Sequence, residues 1–239
     1  MNLKATAAAT AIIVAGIGAV VLFLSAGEGH TVFVPDEAAR HRERGEFLLN
    51  KRRHTTNRQQ KAELLSKAIG EFKKALEAKP DFAVAHNMLG HCYMEMGNWD
   101  AARQHFDKAL EIRPDYPAAH YNRGQLYQRL SVTRRDQVLL DKALADYQQA
   151  LASELAAAFA GDILKAMSDV HRLKGNTDKA IEILELYLKR SPHAADAALV
   201  QRKIRGLELM KQSAGSSPAP GKATAPPSTS RQSQPASQQ

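Results

Sequence analysis

Residues 81–114 read DFAVAHNMLGHCYMEMGNWDAARQHFDKALEIRP, and their chemistry recurs at a fixed spacing of 34 residues. Ala68, Phe72, Ala75 and Pro80 return as Ala102, Phe106, Ala109 and Pro114, while His86, Gly90 and Tyr93 return as His120, Gly124 and Tyr127. A period of this size marks a solenoid, in which each unit is a pair of antiparallel helices that buries its apolar face against its neighbours. Gly90 and Ala102 are small where two helices must approach closely, and Tyr93 and Phe106 fill the space between units. Pro114 stops one helix and sets the start of the next.

Three looser units flank this one. Pro35-Asp36 matches Pro80-Asp81 and Pro114-Asp115, with the Asp placed as an N-cap. Pro35 to Pro80 and Gly45 to Gly90 are both 45 residues, so the first unit carries 11 extra. The third runs from Asp115 through Gly124 and Tyr127 to Ala143, Tyr147 and Ala150, with about seven residues inserted before its second helix. The fourth holds Met167, Gly175, Ala180, Leu184 and Pro192, but Ser168 replaces the small glycine. Ala197, Val200, Ile204 and Leu207 follow at helical spacing and predict a capping helix.

The pattern resembles the tetratricopeptide repeat family: Leu89, Gly90 and Tyr93 on a first helix, Gly97 and Trp99 at a turn, Ala102, Phe106 and Ala109 on a second, and Pro114 at the exit. The resemblance implies an all-α fold, a right-handed solenoid of helical hairpins, with about four repeats and a cap over 36–211. It also implies a non-catalytic protein whose concave groove, lined by the first helix of each unit, binds peptide segments of a protein partner. Placing the units on the family pattern puts Arg42, Asn87, His91, Glu95, Tyr121, Gln125, Gln128, Arg129, Lys165 and Arg172 on the inner face. Tyr121 and Arg129 are the expected anchors, because aromatic and Arg side chains carry most hot-spot energy. Some members of the family clamp acidic chaperone tails with Lys, Asn and Arg side chains. Asn122 fits that set, but Glu46 and Ala118 stand where an Asn and a Lys are needed, so such a clamp is not supported.

Residues 5–26 hold no charge. As a helix they would span roughly 33 Å, enough to cross a bilayer core of ~30 Å. The run exceeds the usual apolar core of a signal peptide, so residues 1–27 read as an uncleaved transmembrane anchor, with a cleaved signal ending at Ser25-Ala26-Gly27 as the rival. With no Cys near the segment, it is not a lipoprotein anchor. Lys4 before the span, and Glu28, Asp36 and Glu37 after it, favour a single-pass protein with its repeats in the periplasm of a bacterial inner membrane, although Arg40, Arg42 and Arg44 pull the other way. Ala7, Ala11, Ala15 and Ala19 form a small-residue ridge that would allow self-association in the membrane. Residues 28–35 read as a linker, and residues 212–239, rich in Ser, Pro, Ala and Gln, as a disordered tail.

The net charge is +8. It concentrates at Lys51, Arg52, Arg53, Arg58 and Lys61 in the first insertion and at Arg134 and Arg135 in the third unit's, predicting a basic edge of two loops for an anionic partner, lipid headgroups among them. Those loops hold no aromatic residue to stack on a base, which weighs against nucleic acid. His41, His86 and His120 share one position in successive units, on the order of 10 Å apart, too far to converge on one ion. Cys92, the only cysteine, reads as a buried structural thiol. No phosphate loop, nucleophile elbow or His-Glu-x-x-His helix occurs, so neither a cofactor nor a reaction is expected. The expectation is a membrane-anchored adaptor or scaffold that assembles a complex; the alternative is a structural protein that self-assembles on a membrane surface through its span and solenoid, with the basic edge on anionic lipid.

Overall fold

The computed structural model describes residues 13–16, 19–22 and 32–215. Beyond Asp36 its regular structure is helical: α1 (Glu37–Arg53), α2 (Arg58–Ala78), α3 (Ala83–Glu95), α4 (Trp99–Ile112), α5 (Pro117–Arg134), α6 (Gln137–Ala152), α7 (Ala160–Leu173), α8 (Thr177–Arg190) and α9 (Ala197–Gly215), with a 3-10 turn at Glu154–Phe159. The helices pack as consecutive pairs, α1 on α2, α3 on α4, α5 on α6 and α7 on α8. Each pair stacks on the next, and α9 packs against α8. Contacts of α3 with α5 and of α5 with α7 place successive first helices on one side of the stack.

Caps and turns set the boundaries. Asp36, Asn57, Asn98 and Asp136 each accept a hydrogen bond from a backbone N–H in the first turn of the following helix. The residue before the cap of α4, α6 and α8 is left-handed: Gly97 at φ 77°, Arg135 at φ 54° and Gly175 at φ 78°.

A glycine and a ring lock the first three hairpins. A Cβ on Gly45, Gly90 or Gly124 would come within 2.5, 2.6 and 2.6 Å of Phe72, Phe106 and Tyr147. These three rings are completely buried. The fourth hairpin reverses the arrangement. Ser168 takes the glycine position and donates its hydroxyl to the Ala180 carbonyl at 2.9 Å, opposite Leu184 instead of a ring. The ring has moved one turn along α8 to Tyr187, and the glycine has moved to Gly161, whose Cβ would lie 2.6 Å from it. Bulk and space are exchanged together, which preserves packing density.

The extra residues of the first and third units are helix, not the loops expected. Where α3 and α4 have 13 and 14 residues, α1 and α2 have 17 and 21, and α5 and α6 have 18 and 16. Lengthening both arms of a hairpin keeps every added backbone group hydrogen-bonded, which a loop would not do. In the third unit the added residues also bury side chains, Leu130 and Leu139.

The amino-terminal segment differs from the single spanning helix expected over 5–26. Its described parts are strands, Ile13–Gly16 (β1) and Ala19–Leu22 (β2), paired antiparallel, and Val32–Pro35 (β3) pairs with β2 inside the expected linker. The β-branched Ile13, Val14, Val20 and Val21 favour extended pairing where no bilayer is present. Among the described residues, no helix is long and apolar enough to cross a membrane. Ala7 and Ala11 of the small-residue ridge lie outside the described residues. At the other end α9 continues four residues past Lys211, and the rest of the expected tail lies outside the described residues.

Candidate functional site

The repeated histidines are positioned by the hairpin geometry. His41, His86 and His120 each meet the residue that precedes the unit's core ring: Glu71 before Phe72, His105 before Phe106, and Asp146 before Tyr147. Their Nδ1 contacts measure 2.7, 3.1 and 2.9 Å. The Nε2 atoms of His86 and His120 reach the carbonyls of Pro80 and Pro114 at 3.1 and 2.9 Å, tying each first helix to the preceding exit. In the fourth unit the equivalent pair is Leu164 with Ile183, both buried. These histidines are committed one by one to different partners. Among the described residues, no three metal-ligating side chains come together.

In the third unit the pair extends into a network. Burial would raise the Asp146 carboxyl, but the fork of hydrogen bonds from Arg123, at 2.8 Å, and the contact with His120 outweigh it and hold the group low. Arg123 also reaches Asp107 at 2.8 Å. Cys92 is fully enclosed, and burial pushes its thiol up to about 12, so it stays protonated and inert.

The structure separates the expected groove residues into three groups. Asn87 is buried, accepting from Asn122 at 3.0 Å, and belongs to the contact between units instead of the open surface. Tyr121 is half-buried, its ring centroid 5.8 Å from that of Tyr147 and 5.9 Å from that of Phe159, so it supports the stack. Gln128 accepts from the Tyr147 hydroxyl at 2.8 Å. A second group is engaged by carboxylates. Arg42 bonds Glu46 at 2.8 Å, Lys165 bonds Asp196 at 2.7 Å, and Arg172 lies 3.7 Å from Asp169, itself bonded by Lys203 of α9. The fourth unit's inner face is thus tied to the cap.

The third group, His91, Glu95, Gln125 and Arg129, gathers where α1, α3 and α5 come together. Arg52, expected on an outlying loop, ion-pairs with Glu95 and joins this group. Burial foremost, and then the charges of Arg53, Arg129 and Arg52, hold the His91 imidazolium down against the opposing pull of Glu95. Lys51 and Arg53 close α1, Arg58 and Lys61 open α2, Arg134 closes α5, and Arg135 caps it. These basic residues therefore sit at the ends of lengthened hairpins instead of on loops.

Sequence reasoning missed a recess at this place. Measured from the contact position, α1 runs eight residues past Gly45 and α5 ten past Gly124, whereas α3 stops five past Gly90. At 1.5 Å per residue the outer two helices project roughly 5 and 8 Å beyond the middle one. The short second hairpin forms a floor between two taller walls. A cavity of about 440 Å³ opens there, lined by Trp99, Gln125, Gln128, Arg129, Val132 and Thr133. Val132 in the cavity wall is 60% exposed, and Met96, which caps the short α3, is 59% exposed, both high for apolar side chains. The signal lay in the mismatch of unit lengths, once the insertions are read as helix.

Two matches to known families fall on this region. Residues 71–104 match the tetratricopeptide repeat, and residues 90–131 match a further TPR repeat description. Over residues 71–131 the chain carries tetratricopeptide repeats. Such repeats generally serve as protein-interaction scaffolds and not as catalysts. Solved structures share the fold. That of pilF from Pseudomonas aeruginosa superposes with a TM-score of 0.59 at 17% identity, over 74% of this chain and 70% of that one. A crystal structure of MamA protein gives 0.54 at 19%, over 75% and 87%. TTC0263, a thermophilic TPR protein in Thermus thermophilus, gives 0.53 at 22%, over 69% and 81%. No curated protein matches the chain.

Proposed function

We propose that this chain is a non-catalytic adaptor that holds a protein partner in the concave face of its repeats and assembles a complex at a membrane. The observation that carries the reading is the partly open surface of α3 and α5 around His91, Gln125 and the exposed, unpaired Arg129, beside a fourth unit whose inner face is engaged by its own cap. Partner contacts then fall on the first three units. The membrane attachment rests on composition: 22 uncharged residues from Ala5 to Ala26. Within hydrocarbon, a three-stranded sheet would leave unpaired edges, so insertion would require the segment to become a helix. The repeats would then stand in the periplasm, by the charges that flank the span.

The test is a crosslinked pull-down of the full-length protein from native membranes, run beside Arg129→Ala and Tyr121→Phe. Arg129 is exposed and Phe keeps the aromatic packing of Tyr121, so loss of capture reports on binding and not on folding. A near-stoichiometric protein recovered with the wild type and lost with Arg129→Ala supports the adaptor. Recovery of the protein alone, unchanged by either variant, overturns it. Extraction of the chain from membranes by carbonate would remove the anchor from the proposal.

A further inference from the structure

We infer that the recess over the second hairpin is the docking point for an acidic segment of the protein partner, one that carries an apolar side chain among its carboxylates; this rests on the adaptor reading above. Charge is the first argument. Arg129 lines the recess and Arg53, at the end of α1, lies near enough for both charges to act on His91; neither has a carboxylate partner among the described residues, while the nearby Glu95 is paired with Arg52. Shape is the second. A cavity of about 440 Å³ with Trp99, Val132 and the aliphatic part of Arg129 in its wall is matched to one or two aliphatic side chains. Gln125, Gln128 and Thr133 supply the polar groups that orient a backbone.

The recess distinguishes a peptide from a membrane surface. A flat bilayer would rest on the projecting ends at Lys51, Arg53, Arg134 and Arg135, leaving the lowered floor at Met96 and Trp99 uncovered. An extended segment can follow the floor and place carboxylates against both walls.

Trp99 is the only tryptophan in the chain and lines the cavity, so its emission reads occupancy directly. The full-length protein is titrated at low salt with a short peptide alternating Glu pairs with Leu. Parallel titrations use the same peptide with Gln for Glu, and phosphatidylglycerol vesicles. The expected result is a saturable blue shift with the Glu peptide, weakened about tenfold by raised salt. Combined Arg53→Gln and Arg129→Gln, both surface changes, should weaken it about tenfold again, and Val132→Asp should abolish it. Equal binding of the Gln peptide, no shift with the Glu peptide, or a shift with vesicles alone overturns the inference. A partner captured from membranes and lost with Arg129→Ala, in the face of an unresponsive Trp99, would leave the adaptor standing and refute only the acidic recess.

Discussion

Nδ1 of His86 faces Nδ1 of His105 at 3.1 Å, so one imidazole must donate and the other accept. The Pro80 carbonyl claims the Nε2 proton of His86, which makes His86 the acceptor and His105 the donor. His86, with Nε2 donating and Nδ1 accepting, is thereby held neutral. Burial, then the neighbouring His86 and Lys73, take His105 down to about 4, and burial leads the downward shift of His86. His105 also stacks on Tyr93, centroid to centroid 5.4 Å.

A base whose folded value is depressed binds its proton more readily when unfolded, so stability rises with pH across the interval between the two values. Here the contribution is complete above about 6.5 and is lost as the pH falls towards about 4. For His105 the loss is on the order of 2–3 kcal/mol, given its partial exposure. His91 and His171, also depressed, act in the same direction. His105→Asp isolates the pair, because it gives His86 the carboxylate partner that His120 already has in Asp146. Urea unfolding at pH about 7 and about 4.5 should show a smaller acid loss in the variant; parallel curves would remove the pair from the pH dependence.

The close approach at Gly90 gives a directional pair of substitutions. Gly90→Ala drives a methyl to 2.6 Å from the Phe106 ring, which is enclosed and cannot swing away. A loss of about 1–3 kcal/mol is expected from overpacking. Gly70 lies within α2 with nothing within 4 Å of the same added atom, so Gly70→Ala should gain about 0.5–1 kcal/mol by helix propensity. Thermal midpoints that move in opposite directions check both.

Periodicity found what is set by local spacing and missed what depends on contacts across a hairpin. The Gly90 and Phe106 positions, the helix ends at Pro80 and Pro114, and the shared place of the three histidines were readable at the spacing of 34. The histidine partners were not, since the intervals of 30, 19 and 26 residues vary with the length of each hairpin. The groove assignment had the same weakness. It placed Asn87 at an inner-face position without showing that the neighbouring Asn122 covers it, and it separated Arg52 from Glu95 although helix extension brings them together. The apolar amino-terminal stretch was read from its lack of charge, which leaves open how its β-branched residues pair outside a bilayer.

Arg135 holds a φ of 54°, the conformation glycine takes at 97 and 175 in the corresponding turns. A side chain there costs on the order of 1 kcal/mol. Arg135→Gly should raise the unfolding free energy by about that amount, whereas Arg135→Ala, which keeps the Cβ, should change it little. If Ala stabilised as much as Gly, removal of charge and not of strain would be the cause.

Asp146 is the most exacting polar position in the described core, because its carboxylate answers both His120 and Arg123 while 6% exposed. Asp146→Asn leaves the Arg123 guanidinium with only Asp107, at the surface, and should cost about 3 kcal/mol or more. Asp107→Asn removes only the exposed arm and should cost under about 1 kcal/mol. Similar losses in the two variants would show that the inner pair carries no special weight.

The exchanged pair in the fourth hairpin permits a closed thermodynamic cycle. Gly161→Ala places a methyl against the Tyr187 ring and should destabilise by about 1–3 kcal/mol. Tyr187→Ala empties a mostly buried site and should cost about 3 kcal/mol or more. With both changes the added methyl has room, so the double variant should be more stable than the sum of the single losses predicts, by about 1 kcal/mol or more. Strict additivity by urea denaturation would mean that Gly161 and Tyr187 do not share the space, and that the displacement of ring and glycine from Leu184 and Ser168 is not a compensated exchange.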